Sequence, residues 1–261
     1  MFKAARLDKI KQILLEQKQI DIARLSNLLG VSDVTARNDL EILEHEGFVI
    51  RTHGGVSLNE ANPPILPFSP SLNIAKENID EDMIADTAVQ MIKENDVVFV
   101  GPGTICALIA SKLDPDKNIT IVTNNLIVAN VLAVRPNITL ILVGGTLDCQ
   151  NKTLVGDLVA RCLENILINK AFISVNGVDM KHGYSVSNIN DLKVYEIVSQ
   201  ISSELIIVAS KSKFDKTSLM RFAPLTLAKR VVTSEDIPGE YKTYFFNNGV
   251  QIFTSYELTE M

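Results

Sequence analysis

Residues Leu29–Val56 read LGVSDVTARNDLEILEHEGFVIRTHGGV. Gly30-Val31-Ser32 makes a tight break, with Ser32 placed to cap a helix that runs to about Glu46 and ends at Gly47. Val34, Leu40 and Leu43 are expected to anchor this helix on a core, leaving Thr35, Arg37 and Asn38 outward. Phe48–Val56 reads as a hairpin turning at Gly54-Gly55. Upstream, Leu7, Ile10, Ile13 and Leu14 recur at helical spacing. Ile22, Leu25, Leu28 and Leu29 give a shorter second helix, with Asp21 as its N-cap. Helix, Gly break, capped helix and hairpin together make a winged helix-turn-helix.

That arrangement has a direct use. A helix fits the major groove, and its first residues reach base edges. Arg37 suits guanine, Asn38 suits adenine, and Ser32 and Thr35 suit phosphate or base contacts. Arg51 and His53 on the hairpin can touch the backbone or the minor groove. The competing reading is a small helical bundle with a solvated polar face. Charge favours neither. Residues 1–58 hold eight basic and eight acidic side chains, and the remainder holds seventeen against twenty-three, which carries the whole net charge of −6. Asp39, Glu41, Glu44 and Glu46 follow Arg37 on the same helix and are expected to face away from phosphate.

The Leu29–Val56 stretch resembles the DNA-binding signature of DeoR-family regulators, V-S-x-x-T-I-R-R-D-L followed by L-E-x-x-G and an R-x-H-G-G wing. Ala36 stands where the family has Ile, and Asn38 where it has a second Arg. Arg37 is therefore the lone cation on that turn. The resemblance implies a double-stranded DNA operator as partner.

The chain has 261 residues, 46% of them hydrophobic, with a mean hydropathy of +0.17. Wholesale disorder is excluded, and there is room for one large domain or two unequal ones. No apolar run reaches the roughly 18 residues of a membrane span, and the opening MFKAARLD meets charge too early for a signal peptide, so a cytoplasmic protein without membrane partners is expected. Cys106, Cys149 and Cys162 are widely spaced and the three histidines form no metal motif, so neither disulfides, nor a metal, nor a cofactor is expected. Four of the nine prolines fall in Pro63–Pro70. The expected organisation is a DNA-binding domain over 1–58, a Pro-rich linker over 59–71 and an α/β domain over 72–261.

After the linker, helical and apolar strand patterns alternate. Helices are expected near 79–93, 105–113, 126–134 and 191–202, with strands at 97–100, 119–122, 138–143, 172–175, 205–209 and 230–232. Continuous apolar strands between helices argue for a mostly parallel sheet covered on both faces. Such sheets bind ligands beyond the carboxyl ends of their strands. Gly101-Pro102-Gly103-Thr104 follows a strand and opens a helix, a place suited to an anion, although its pattern matches no nucleotide loop. Asn124, Gly144, Gly145, Asp191 and Lys213 gather at similar strand ends. Ordinary turn and cap chemistry accounts for each of them singly.

About residues 74–255 resemble the DeoR-family sensor domain, which is similar in fold to sugar-phosphate isomerases. The resemblance implies a phosphorylated sugar effector held by Gly101, Gly103, Thr104, Asn124, Gly144, Gly145, Asp191 and Lys213. Family loops read D-S-G-T-T, so Gly101, Pro102 and Ile105 depart from the pattern while Gly103 and Thr104 keep it. The implied function is a repressor of carbohydrate genes whose DNA affinity is changed by the effector, acting as a homo-oligomer (dimer or tetramer) that sets the spacing of paired DNA-binding heads. The alternative is a phosphosugar isomerase or deaminase with an appended helical domain. It needs an acid/base pair, for which Asp179, Asp191 and His182 are available. No catalytic motif is matched, and a non-enzyme is expected.

Overall fold

The computed structural model describes residues 3–45, 47–52, 55–59 and 79–254. The chain divides into two compact units, Met1–Ser69 and Pro70–Met261. Of the expected linker, all but Asn59 lies outside the described residues. Asn59 itself is tied to the first unit. Its backbone N–H donates to the Phe48 carbonyl at 3.0 Å and its side-chain amide to that of Gly47 at 3.1 Å.

The first unit runs α1 (Lys3–Gln17), β1 (Gln19–Asp21), α2 (Ile22–Leu29), α3 (Asp33–His45), β2 (Val49–Thr52) and β3 (Gly55–Leu58). The cap residues sit as expected. The Asp21 carboxylate accepts from the Arg24 N–H at 2.7 Å, Gly30 closes α2 at φ +65°, and the Ser32 hydroxyl accepts from the Thr35 N–H at 3.2 Å. Each such N-cap is worth about 1 kcal/mol. Ile10, Leu14, Leu25, Leu40, Leu43, Phe48 and Val56 form one core across helices and hairpin.

Three details depart from expectation. Val34 is not an anchor, being 67% exposed. The inward face of α3 is instead Ala36, Asp39, Leu40 and Leu43, the spacing that one side of a helix imposes. Strand β1 was not expected. It pairs antiparallel with β3, giving the sheet order β1-β3-β2. Finally, Gly55 is not a turn residue, because it pairs with Thr52 and with Asp21 inside β3. A Cβ there would meet the Ile20 carbonyl oxygen at 2.6 Å, so glycine is what lets β1 approach. His53 and Gly54 lie outside the described residues.

The second unit continues with α4 (Ile79–Val89), β4 (Val97–Val100), α5 (Thr104–Lys112), β5 (Ile119–Thr123), α6 (Leu126–Leu132) and β6 (Ile138–Leu142). A hairpin of β7 (Thr146–Asp148) and β8 (Thr153–Val155) leads to α7 (Asp157–Leu163) and β9 (Ile168–Ser174). Then come β10 (Gly177–Asp179), β11 (Gly183–Val186), α8 (Ile189–Ile201), β12 (Ser202–Ala209), a 3-10 turn at Lys211–Lys213, β13 (Met220–Ala223), β14 (Arg230–Thr233), α9 (Gly239–Asn247) and β15 (Gln251–Phe253).

Seven strands form one parallel sheet in the order β15-β14-β12-β9-β4-β5-β6. Their side chains alternate between two cores. On β9, Ala171 and Ile173 face the layer containing α7, α8 and α9, while Phe172 faces that of α4, α5 and α6. Ile207 and Ile206 on β12 divide the same way. Both faces of these central strands are therefore buried, which is why they read as unbroken apolar runs. The fold is α/β with a winged helix-turn-helix ahead of it, as the sequence indicates. Among the described residues, no helix is long and apolar enough to cross a membrane.

Candidate operator face and effector cavity

In the first unit the exposed side of α3 carries Val34, Arg37, Asn38 and Glu41, spaced three and four apart. Ser32 is exposed, and Thr35 is half-buried with its hydroxyl 2.9 Å from that of Ser32. Arg37 has no partner among the described residues and is free to meet an acceptor. Asp39 is buried, where Arg6 holds it bidentately at 2.8 and 3.2 Å. The Asp33 carboxylate accepts from the Ser26 hydroxyl at 2.5 Å.

Glu41 and Glu44, expected to face away from phosphate, are both exposed. Both are engaged by Arg51 of β2, at 3.2 and 2.8 Å, and these contacts hold the guanidinium pKa above its ordinary value. Arg51 thus neutralises the helix rather than standing free. Glu46 and His53 lie outside the described residues.

In the second unit a cavity of about 370 Å³ opens at the carboxyl ends of β4, β5 and β9. Of the expected effector residues, Gly103, Thr104 and Asp191 line it. Gly103 sits at φ +119°, where a Cβ would come within 2.9 Å of that of Ser174, so the loop closes on β9 only as glycine. No side chain caps α5 at this end, where Gly103 and Thr104 line the cavity, so the helix start there has no side-chain partner for its first N–H groups.

Asp191 enters from the first turn of α8, whose N-cap is Asn188, not Asp191. Its Oδ1 is buried without a hydrogen-bond partner. Burial first, and the neighbouring Asp148 second, push the Asp191 carboxyl up to about 6. Asp148 itself is held low by hydrogen bonds, chiefly from the Asn151 side chain at 2.8 Å, and also accepts from Asn188 at 3.2 Å. It thereby ties the β7–β8 turn to the start of α8.

The other expected effector residues lie elsewhere. Gly101 is buried outside the cavity lining, where a Cβ would meet the Phe172 carbonyl at 3.3 Å. Beneath the loop the Cys106 thiol is pushed up to about 12 by burial. Asn124 is fully buried. Its amide donates to the Leu154 carbonyl at 3.1 Å and its Oδ1 has no partner. Gly145 makes a close packing point, with a Cβ falling 2.7 Å from the Val155 oxygen, while Gly144 is open and exposed. Lys213 is half-buried on the 3-10 turn, beside Glu81 of α4 rather than in the cavity.

Sequence reasoning missed much of the wall. Asn125, Gln150, Asn151, Ser174, Asn176, Ser187 and Tyr195 line the cavity as well. Asn125 and Asn176 follow strands and carried that positional signal. Gln150 and Asn151 reach the cavity on the turn of a hairpin whose strands are three residues each, too short for any apolar pattern to mark. Asp179 and His182 pair with each other at 2.7 Å and do not line it. Among the described residues, no group of three or more His, Cys, Asp or Glu could hold a metal ion.

A family model described as the DeoR-like helix-turn-helix domain matches residues 6–62, and one described as the DeoR C terminal sensor domain matches residues 78–235. The HTH-type transcriptional regulator IolR of Bacillus subtilis (strain 168) is 31% identical over 243 residues, covering 93% of this chain and 95% of its own. The lactose phosphotransferase system repressor of Lactococcus lactis subsp. lactis is 31% identical over 252 residues, 94% of this chain and 96% of its own. Among solved structures, ribose 5-phosphate isomerase a from Methanocaldococcus jannaschii aligns at a TM-score of 0.39 and 15% identity, covering 51% of this chain and 53% of that one. The chain belongs to the DeoR family and is a DNA-binding transcriptional regulator, with its helix-turn-helix and its sensor domain in the family's order.

Proposed function

We propose that the chain is a cytoplasmic repressor of carbohydrate-metabolism genes whose grip on operator DNA changes when a phosphorylated sugar fills the cavity at the carboxyl ends of β4, β5 and β9. One observation carries this reading. The same cavity joins an uncapped helix start at Gly103-Thr104 to the buried, unpartnered carboxyl oxygen of Asp191. The first suits a phosphate and the second accepts from sugar hydroxyls. Ser32 ahead of α3, and Thr35, Arg37 and Asn38 on it, are the operator contacts of the reading helix, and Arg51 and His53 those from the wing. Asn124 and Gly101 support the cavity from behind. Lys213 adds positive charge at the strand ends.

Binding regulates only if the effector favours one DNA-binding state over the other. A dimer or tetramer supplies two such states by changing the spacing of its heads. The reading is of a sensor without turnover. Isomerisation at sugar C1–C2 needs a paired acid and base, whereas Asp191 and Tyr195 are the ionisable side chains in the described wall and the Tyr195 hydroxyl donates to the Ser174 carbonyl at 3.1 Å.

The test is thermal stabilisation of the full chain by a panel of sugar phosphates, each beside its unphosphorylated sugar. A true effector at a hundredfold excess over Kd adds about 2.7 kcal/mol of apparent stability. The gain is expected to vanish in Gly103→Ala and to be accompanied by altered operator binding. A panel without any shift overturns the proposal.

A further inference from the structure

We infer that Val34 is a base-reading residue that contacts the 5-methyl group of a thymine in the operator. The inference rests on the proposed entry of α3 into the major groove, and it comes from an apolar side chain of that helix, expected in the core, that the structure leaves exposed.

Val34 lies in the first turn of α3 and is 67% exposed. Its immediate neighbours are engaged. The Asp33 carboxylate is drawn back to the Ser26 hydroxyl, and the Thr35 hydroxyl meets that of Ser32. Val34 points away from both, on the same side of the helix as Arg37 and Asn38, one turn on. Single exposed apolar residues are common on any surface. This one differs in its position. Leu28 and Ile50, the other large apolar side chains exposed in the described part of this unit, are 48% and 46% exposed and lie on α2 and β2. Folding gains little packing from Val34, and a β-branched residue lowers helix propensity.

The first residues of a groove-entering helix are the ones that reach base edges. A valine offers no hydrogen bond, so it can read only an apolar feature. In the major groove that feature is the thymine C5-methyl. Asn38, directly above Val34, suits adenine, whose partner carries this methyl. The two side chains together fit an A·T pair or two adjacent ones. Arg37 beside them suits guanine.

The experiment begins with selection of binding sites from a random duplex pool by the full-length protein. The selected site is then resynthesised with uracil in place of thymine, one position at a time, which removes only the methyl group. Kd is measured for the wild type and for Val34→Ala, a substitution at an exposed position that leaves the core untouched. The expected result is one thymine per half-site at which uracil weakens wild-type binding about fourfold, the equivalent of one buried methyl. Val34→Ala binds the thymine site more weakly by a similar factor and shows no difference between thymine and uracil there. Its salt dependence is unchanged, because no phosphate contact is lost. A site at which every thymine-to-uracil change affects both proteins equally overturns the inference while leaving α3 as the reading helix. A pool that enriches no sequence overturns both.

Discussion

Arg6 of α1 holds Asp39 of α3 with two hydrogen bonds, across thirty-three residues of sequence. The carboxylate they secure is 2% exposed. An acidic residue two places after Arg37, which reads as a penalty against phosphate, is thus removed from the exposed side of α3 and used to tie that helix to α1. Removing one partner of a buried pair leaves the other charge uncompensated. Arg6→Ala is expected to lower the melting temperature of the first unit by about 5 °C or more, and Arg6→Ala with Asp39→Leu to recover part of the loss. Calorimetry of the full chain checks both. An unchanged transition in Arg6→Ala refutes the structural role of the pair.

Arg51 is divided between two needs. It bridges Glu41 and Glu44, yet lies on the wing where a cation can meet phosphate. Replacing both glutamates by glutamine frees it and removes two negative charges. Operator binding is expected to tighten, with the salt slope steepening by about 0.9 if Arg51 takes up one phosphate. Arg51→Ala works in the opposite direction by unmasking the carboxylates. Titrations at several salt concentrations separate these effects.

Gly103 combines a positive φ with a close approach to Ser174. Gly103→Ala is expected to cost about 1–3 kcal/mol and to abolish the effector-induced rise in melting temperature, because the loop that presents the α5 amides shifts. Denaturant unfolding with and without the sugar phosphate measures both consequences.

Asp191 makes stability depend on pH. Its carboxyl is pushed up to about 6, so the folded state holds this proton more tightly than the unfolded chain does. The group's favourable contribution is present in full below the unfolded carboxyl range and is lost as pH rises through about 6. Asp191→Asn is therefore expected to match the wild type below about pH 4 and to exceed it by roughly 1–2 kcal/mol at pH 8, solvent screening keeping the figure modest. Sugar hydroxyls donate to the ionised form, so effector affinity in the wild type rises with pH over the same window, and Asp191→Asn flattens that rise.

Much of this architecture is legible because local chemistry and tertiary structure agree. Asp21, Gly30 and Ser32 mark helix ends by interactions within a few residues, and the apolar runs of β4, β5 and β12 are buried on both faces. The failures have a common cause. Val34 reads as core because it is apolar, yet it is exposed. Asp39 leaves the exposed side of α3 as expected, but the residue that holds it inside, Arg6, lies far upstream, where no local pattern points to it. Strand β1 contributes one buried side chain, Ile20, between two exposed polar residues, too little for any period to register. In the cavity, Gly103 and Thr104 are marked by the strand-to-helix junction, whereas Gln150 and Asn151 arrive on a turn whose place is set by Asp148 reaching Asn188.

The pairing of β1 with β3 bears on the birth of the protein. Gln19, Ile20 and Asp21 leave the ribosome early, but their partners Ser57, Val56 and Gly55 are added only after all three helices of the unit have been made. Until then Ile10, Leu14 and Leu25 lack the Val56 side chain that completes their core. A nascent chain that stops at Thr52 carries the whole of α3 but has no finished platform to hold it, so reading of DNA must wait for the last strand of the wing.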